Sequence, residues 1–329
     1  MIDNFILYTI ILIINLLFLK NFKKIKFFFI NIDLPDHKRK IHKIPIALAG
    51  GTILMINLSI ITTYDLLVHE NNQYIILYIT SLLIFLLGFY DDKNNLSYKK
   101  KFFLLTIIFS FCYFLDENFQ IRSLYIETLN LNFIIERYSF LFTLLCFLLF
   151  SNALNMFDGI NLQCIFFSLA SFIYLNIVKY DFFILCMILT LLFLAYKNFK
   201  NLTFLGNSGS YLVSFLISYQ IIFFYNQDII NNVEEIFIVL MIPGVDMLRL
   251  FFFRIFNKKN PFKADKNHLH HILLTRYGYK VTITMITILI VFNLILLKLD
   301  INKLIIILLF ISVYTSIIIF CSDNKKINI

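Results

Sequence analysis

Ser151-Asn152-Ala153-Leu154-Asn155-Met156-Phe157-Asp158-Gly159-Ile160-Asn161 separates two long apolar runs, Tyr138–Phe150 and Ile165–Val178. Three Asn side chains and one Asp crowd into these residues beside a single Gly. Hydrocarbon cannot satisfy such groups, so in an apolar chain they belong at a membrane surface or in a polar cavity. Two further polar islands have the same setting. Gly88-Phe89-Tyr90-Asp91-Asp92 closes an earlier apolar run, and Asn267-His268-Leu269-His270-His271 precedes a later one. The expectation is that all three islands meet on one side of a membrane to form one site.

The composition supports the membrane reading. Hydrophobic residues make up 60% of the 329, above the roughly 45–50% of a soluble domain. Apolar runs at Ile2–Leu19, Ala47–Val68, Tyr74–Phe89, Phe102–Leu115, Tyr138–Phe150, Ile165–Val178, Phe182–Tyr196, Tyr211–Tyr225, Ile236–Phe256, Val281–Leu297 and Lys303–Cys321 predict an all-α polytopic protein of about 11 transmembrane helices. No polar linker divides the chain, which reads as one domain over residues 1–329. The first run has no basic flank before it and no small-residue cleavage site, so it reads as a retained helix. Phe102–Leu115 is short for a span, and its ends must extend or its flanking lysines snorkel. Alternation over Leu129–Phe133 within Gln120–Arg137 predicts a small β-hairpin outside the membrane.

The net charge of +9 is informative through its location. About 24 of the 29 Lys and Arg fall in loops that alternation puts on one side. That side is then cytoplasmic, with the N-terminus outside and the C-terminus inside. The basic balance thus orients the chain against a membrane, and nucleic acid is not expected as a partner. The five cysteines lie in apolar runs without paired spacing and read as packing residues.

Each polar island admits a plain and a chemical reading. Adjacent carboxylates at Asp91 and Asp92 repel unless a cation sits between them. They are either a solvated helix end or a base with a phosphate- or metal-handling partner. Asp92, with little beside it to pack against, is expected to serve turnover and not folding. Asp158-Gly159 alone would make a turn, but a turn does not need so many neighbouring amides. In Gly206-Asn207-Ser208-Gly209-Ser210, Asn207 or Ser208 could cap the following helix, or the exposed N–H groups could hold an anion. The histidines follow Arg254, Lys258, Lys259, Lys263 and Lys266, a setting suited to phosphate oxygens. Zinc is the competing reading, with no Cys nearby to favour it. Asp246 and Arg249, three apart, are expected to neutralise each other, or to support the site.

Taken in order, these motifs resemble those of the polyprenyl-phosphate N-acetylhexosamine-1-phosphate transferases, the WecA and MraY superfamily, and its WecA-like branch in particular. The resemblance rests on Gly50-Gly51 after Arg39-Lys40-Ile41-His42, on Gly88, Asp91-Asp92, Leu96 and Lys101, and on Asn152-Ala153-Leu154-Asn155 with Asp158-Gly159. It continues through Phe204-Leu205-Gly206-Asn207-Ser208-Gly209-Ser210 to Pro261-Phe262, Asp265 and His268-Leu269-His270-His271. It implies transfer of a hexosamine-1-phosphate from a UDP-N-acetylhexosamine to a polyprenyl phosphate lipid, with Mg2+ (or Mn2+) as cofactor. It also implies release of UMP and the start of a lipid-linked surface glycan in the inner membrane; a homodimer stays open. By this likeness Asp91 and Asp92 bind or deprotonate the lipid phosphate, and Lys101 neutralises phosphate charge. Asn155 and Asn207 would hold the metal, and Asp158 and Asn161 would face the nucleotide. Arg254, His268, His270 and His271 would hold the sugar phosphates.

Two residues depart from the pattern. Asp-Gly-x-Asp-Gly is here Asp158-Gly159-Ile160-Asn161-Leu162, and Phe-x-Gly-Asp-x-Gly-Ser carries Asn207 at the expected metal-binding Asp. An inactive or regulatory relative that binds lipid or nucleotide sugar is therefore a rival reading. A transporter is a second rival. It would place charges in mid-span, whereas these islands sit at span ends.

Overall fold

The computed structural model describes residues 7–11, 13–15, 30–35, 44–68, 74–260, 266–299 and 301–322. The Arg39–His42 stretch, the Pro261–Asp265 stretch and Lys325-Lys326 lie outside the described residues. Residues 7–11 and 13–15 are helical and are labelled α1. Ten more helices follow: α2 Gly50–Val68, α3 Ile75–Asn94, α4 Tyr98–Leu115, α5 Ser139–Phe157, α6 Gln163–Val178, α7 Phe182–Phe199, α8 Gly206–Asn226, α9 Val233–Phe256, α10 Leu269–Lys298 and α11 Lys303–Ser322. Among the described residues, eight are long and apolar enough to cross a membrane. The chain is an integral membrane protein.

Several helices outrun the apolar stretches that predict them. Helix α3 continues to Asn94 and ends where Asn95 turns left-handed at φ 49. Both Asp91 and Asp92 therefore lie in its last turns. Helix α5 continues to Phe157, so Asn152 and Asn155 are helical residues and not members of a loop. Helix α4 begins at Tyr98 and takes Lys99, Lys100 and Lys101 into its first turn, which resolves its shortness. The polar stretch between the runs Ile236–Phe256 and Val281–Leu297 is not all loop, because α10 begins at Leu269. That helix is broken once, at Gly278, whose φ of 74 and ψ of 174 are not helical.

Helix α8 is the axis of the bundle. It packs against α2, α3, α5 and α6, and most of its side chains, including Ser208, Ser210, Ser214 and Gln220, are buried. Close approach to α3 depends on Gly88, where an added Cβ would stand 2.4 Å from the Ser208 Cα. Beside α8 lies a small sheet that the sequence did not announce. Strand β2 (Ile46–Leu48) pairs antiparallel with β1 (Asn31–Asp33) and parallel with β5 (Thr203–Phe204). At the other end of the bundle the expected hairpin is present, β3 (Ser123–Ile126) against β4 (Leu131–Ile134), in antiparallel register.

Candidate active site

Helix α8 begins beside the last turns of α3 and α5, and the polar islands converge there. Gly206 opens the helix at φ +74, a conformation that glycine adopts without strain. The space a Cβ would fill is taken by Asp92, whose Oδ2 would lie 2.9 Å from it. Asp92 reaches across from α3 and accepts hydrogen bonds from the Asn207 N–H (2.8 Å), the Ser208 N–H (3.1 Å) and the Ser208 hydroxyl (2.9 Å). It thus satisfies the orphan amides at the start of α8. This corrects two expectations. Neither Asn207 nor Ser208 caps α8 with its own side chain, and Asp92, expected to have little to pack against, joins α3 to the start of α8.

Asp91 is fully buried and points into a chain of polar contacts. Its Oδ1 accepts from the Leu96 N–H at 2.8 Å. Its Oδ2 meets the Lys101 ammonium at 2.7 Å and accepts from the Asn207 side-chain amide at 2.8 Å. Asn207 Oδ1 in turn accepts from Asn155 Nδ2 at 2.8 Å, and the same Asn155 nitrogen donates to Ser210 Oγ at 2.9 Å. Four elements (α3, α4, α5 and α8) are joined by Lys101, Asp91, Asn207, Asn155 and Ser210.

Asp158 closes α5 and is half-buried. Burial pushes its carboxyl up to about 7, and the charge of Asp92 adds to the shift. The next residue, Gly159, lies against His270: an added Cβ would meet His270 Nε2 at 2.0 Å. The histidine segment therefore abuts the Asp158 turn. His268 and His270 have nearly parallel rings with centroids 5.6 Å apart, and His271 lies 4.2 Å from His270. Asp246 holds this segment. It accepts from the Leu269 N–H at 3.1 Å, meets His268 Nδ1 at 2.7 Å, and accepts from the Tyr314 hydroxyl at 2.6 Å. Arg249 pairs with Asp246 at 2.9 Å and donates to the Asn267 carbonyl at 2.7 Å. The two residues neutralise each other and also brace the histidines.

Two expected residues remain, Asn161 and Arg254. Asn161 donates to the Asn198 carbonyl at 3.3 Å and to the Asn201 side chain, so its amide is turned to the end of α7. Leu162, where the family pattern has Gly, is left-handed at φ 68, and its N–H donates to Asn198 Oδ1 at 2.6 Å. Arg254 is buried near the end of α9. Sequence reasoning missed Asn198, Tyr314 and Gln163. The last is a fully buried amide at the start of α6, just before the apolar run Ile165–Val178, and that position beside the polar island was the available signal.

Among the described residues, no three of His, Cys, Asp and Glu stand close enough to cage a metal ion. Mg2+ does not need such a cage. One or two protein oxygens suffice when water and substrate phosphates complete its shell. Side-chain amides of Asn155 and Asn207 beside Asp91, with Asp158 pressed toward its neutral form next to Asp92, fit a cation bound in that way.

The converging residues form a carboxylate-and-amide floor at one end of a membrane-embedded helical bundle. Residues 74–225 match the family described as glycosyl transferase family 4. It is 26% identical over 264 residues to an undecaprenyl-phosphate alpha-N-acetylglucosaminyl 1-phosphate transferase of Thermotoga maritima, covering 80% of each chain. It is 25% identical to a protein of the same description from Yersinia pestis, covering 75% of this chain and 70% of that one.

Proposed function

We propose that the chain transfers an N-acetylhexosamine-1-phosphate, in the first instance GlcNAc-1-phosphate, from its UDP-sugar to a polyprenyl phosphate such as undecaprenyl phosphate. A lipid phosphate oxygen attacks the β-phosphorus, a new phosphoanhydride forms, and the bond to UMP breaks. Phosphoryl transfer asks the protein for positioning and charge neutralisation more than for covalent chemistry. The observation that carries the reading is the convergence of Asp91, Asp92, Lys101, Asn155 and Asn207 at the start of α8. In this reading Lys101 receives phosphate charge, and Asp91 and Asp92 place or deprotonate the lipid phosphate. Mg2+, which offsets diphosphate charge when bound, would be held by Asn155, Asn207 and the substrate. Asp158 and Asn161 serve the nucleotide side, and His268, His270, His271 and Arg254 the sugar phosphates. The lysine bias supports a cytoplasmic setting for this end of the bundle, where the chain would start a lipid-linked surface glycan.

A second reading has one observation in its favour. The Asn207 amide donates to Asp91 where a carboxylate would demand a cation. The chain would then bind lipid or nucleotide sugar without turning it over. UMP release from UDP-GlcNAc by the purified protein, with polyprenyl phosphate and Mg2+, separates the two. Release supports transfer, and binding without release supports the inactive relative.

A further inference from the structure

His268 and His270 stack side by side, yet their Nδ1 atoms meet opposite kinds of partner. His268 Nδ1 faces the Asp246 carboxylate at 2.7 Å. A carboxylate only accepts, so this nitrogen carries the proton, and neutral His268 keeps a lone pair at Nε2. His270 Nδ1 faces the Gln163 amide nitrogen at 3.4 Å, a long contact. An amide nitrogen only donates, so Nδ1 of His270 is the acceptor and its proton belongs on Nε2. Gln163 is fully buried, and its Oε1 has no hydrogen-bond partner among the described residues. A buried amide with an idle oxygen is costly as packing alone, which leaves its contact with the imidazole to explain it. Gly159 completes the arrangement by making room for His270 Nε2 at the half-buried Asp158 turn.

We propose that Gln163 is a positioning residue that fixes His270 as the Nε2–H tautomer, so that the stacked pair presents one acceptor, His268 Nε2, beside one donor, His270 Nε2–H. The ligand chemistry that matches is a phosphate oxygen next to a hydroxyl or amide N–H, as in a phosphosugar. This part rests on the proposed function; the tautomers themselves do not.

Selective 15N-histidine labelling tests the tautomers directly, since the chain has only six His. In the unliganded protein at a pH where both rings are neutral, His270 should show the Nε2–H pattern and His268 the Nδ1–H pattern. Gln163→Glu replaces the donor by an acceptor and should move His270 to the Nδ1–H pattern. Finding Nδ1–H at His270 in the parent, or no change in the Glu variant, overturns the proposal. Gln163→Met removes the bias at similar volume. It should raise KM for UDP-GlcNAc by about five- to tenfold, the size of one lost hydrogen bond, with kcat within about twofold. An unchanged KM with a normal spectrum in the parent would leave the tautomer without a role and overturn the assignment of Gln163. Should the Met variant fail to fold, the parent spectrum still decides. Absence of any turnover in the parent would count against the proposed function, and the spectrum would stand apart from it.

Discussion

Two carboxylates at opposite ends of the bundle make the same bonds in opposite settings. Glu234 accepts from the Glu127 N–H (3.1 Å), the Thr128 N–H (2.9 Å) and the Thr128 hydroxyl (2.8 Å), and so ties the hairpin turn to α9. Asp92 also takes two backbone amides and a hydroxyl, those of Asn207 and Ser208. Glu234, however, stands in the first turn of α9, where a helix dipole favours negative charge. Its neighbour Glu127 is paired with Lys303. Asp92 stands near the C-terminal end of α3, where the dipole of its own helix opposes the favourable N-terminus of α8, next to Asp91 and within the field of Asp158. Among the described residues, Lys101 is the cation paired with this trio. At the hairpin end Lys298 and Lys303 offset Glu127, Glu234 and Glu235 to within one charge, whereas the α8 end carries the larger excess of negative charge, three carboxylates against Lys101. Such an excess is a cost to folding, and a cationic partner or a proton must relieve it.

The largest expected effect separates the two carboxylates. Asp92→Asn should lower turnover by about 100-fold or more, the loss typical of a positioned acid–base group, and should also destabilise the protein by about 1–2 kcal/mol through the weakened cap. Glu234→Gln should show a similar stability loss with turnover within about twofold. Thermal unfolding in detergent and UMP release, measured on both variants, check this; equal turnover in the two would break the comparison.

A next test adds charge to the open end. Asn207→Asp sets a carboxylate 2.8 Å from Asp91 where an amide now donates. Without metal the variant should unfold at lower temperature than the parent. Mg2+ should restore it, and the concentration for half-maximal activity should fall. Coincident Mg2+ titrations of stability and activity in the two proteins would remove Asn207 from the metal site.

Packing at the same end gives a smaller effect. Gly88→Ala drives a Cβ to 2.4 Å from the Ser208 Cα, and overpacking of this kind costs about 1–3 kcal/mol. Gly244→Ala on α9, with nothing within 4 Å of the new Cβ, should be neutral or stabilise by about 0.5–1 kcal/mol. Unfolding temperatures of the two variants decide.

The smallest effect is a pH dependence. Asp158 titrates near 7 in the fold against 3.8 for the ordinary group. The unfolded chain thus loses this proton first. Ionisation works against the fold as pH rises from about 4 to about 7, and the full penalty is present above 7. Asp158→Asn should therefore gain stability over the parent at pH 8 and little at pH 4. An equal difference at both values would exclude an ionisation penalty at Asp158.

The helices were legible because each carries an apolar run, but their ends were not. Asp91 and Asp92 read as a helix end, and Asn152 and Asn155 as a break between two runs, while the backbone stays helical through all four and turns them onto the site. The hairpin was legible from alternation at Leu129–Phe133. The β1–β2–β5 sheet was not, since strands of two or three residues leave no periodicity to find. The convergence of the islands followed from motif order, but their bonds did not. That Asp92 would cap a helix 115 residues further on is a property of packing between α3 and α8.

The burial of α8 also bears on how the chain is assembled. Helix α8 is the least apolar of the eight spanning candidates and the one most enclosed by the rest of the protein. Alone in lipid, its serines and Gln220 would find few partners. Its neighbours α2, α3, α5 and α6 all precede it in the chain. By the time a ribosome delivers α8, the walls of its berth are already synthesised, so a reluctant segment can leave the translocon into protein instead of into bare bilayer. The order of helices along the gene is thus also an order of construction, with the most dependent member arriving after those it depends on.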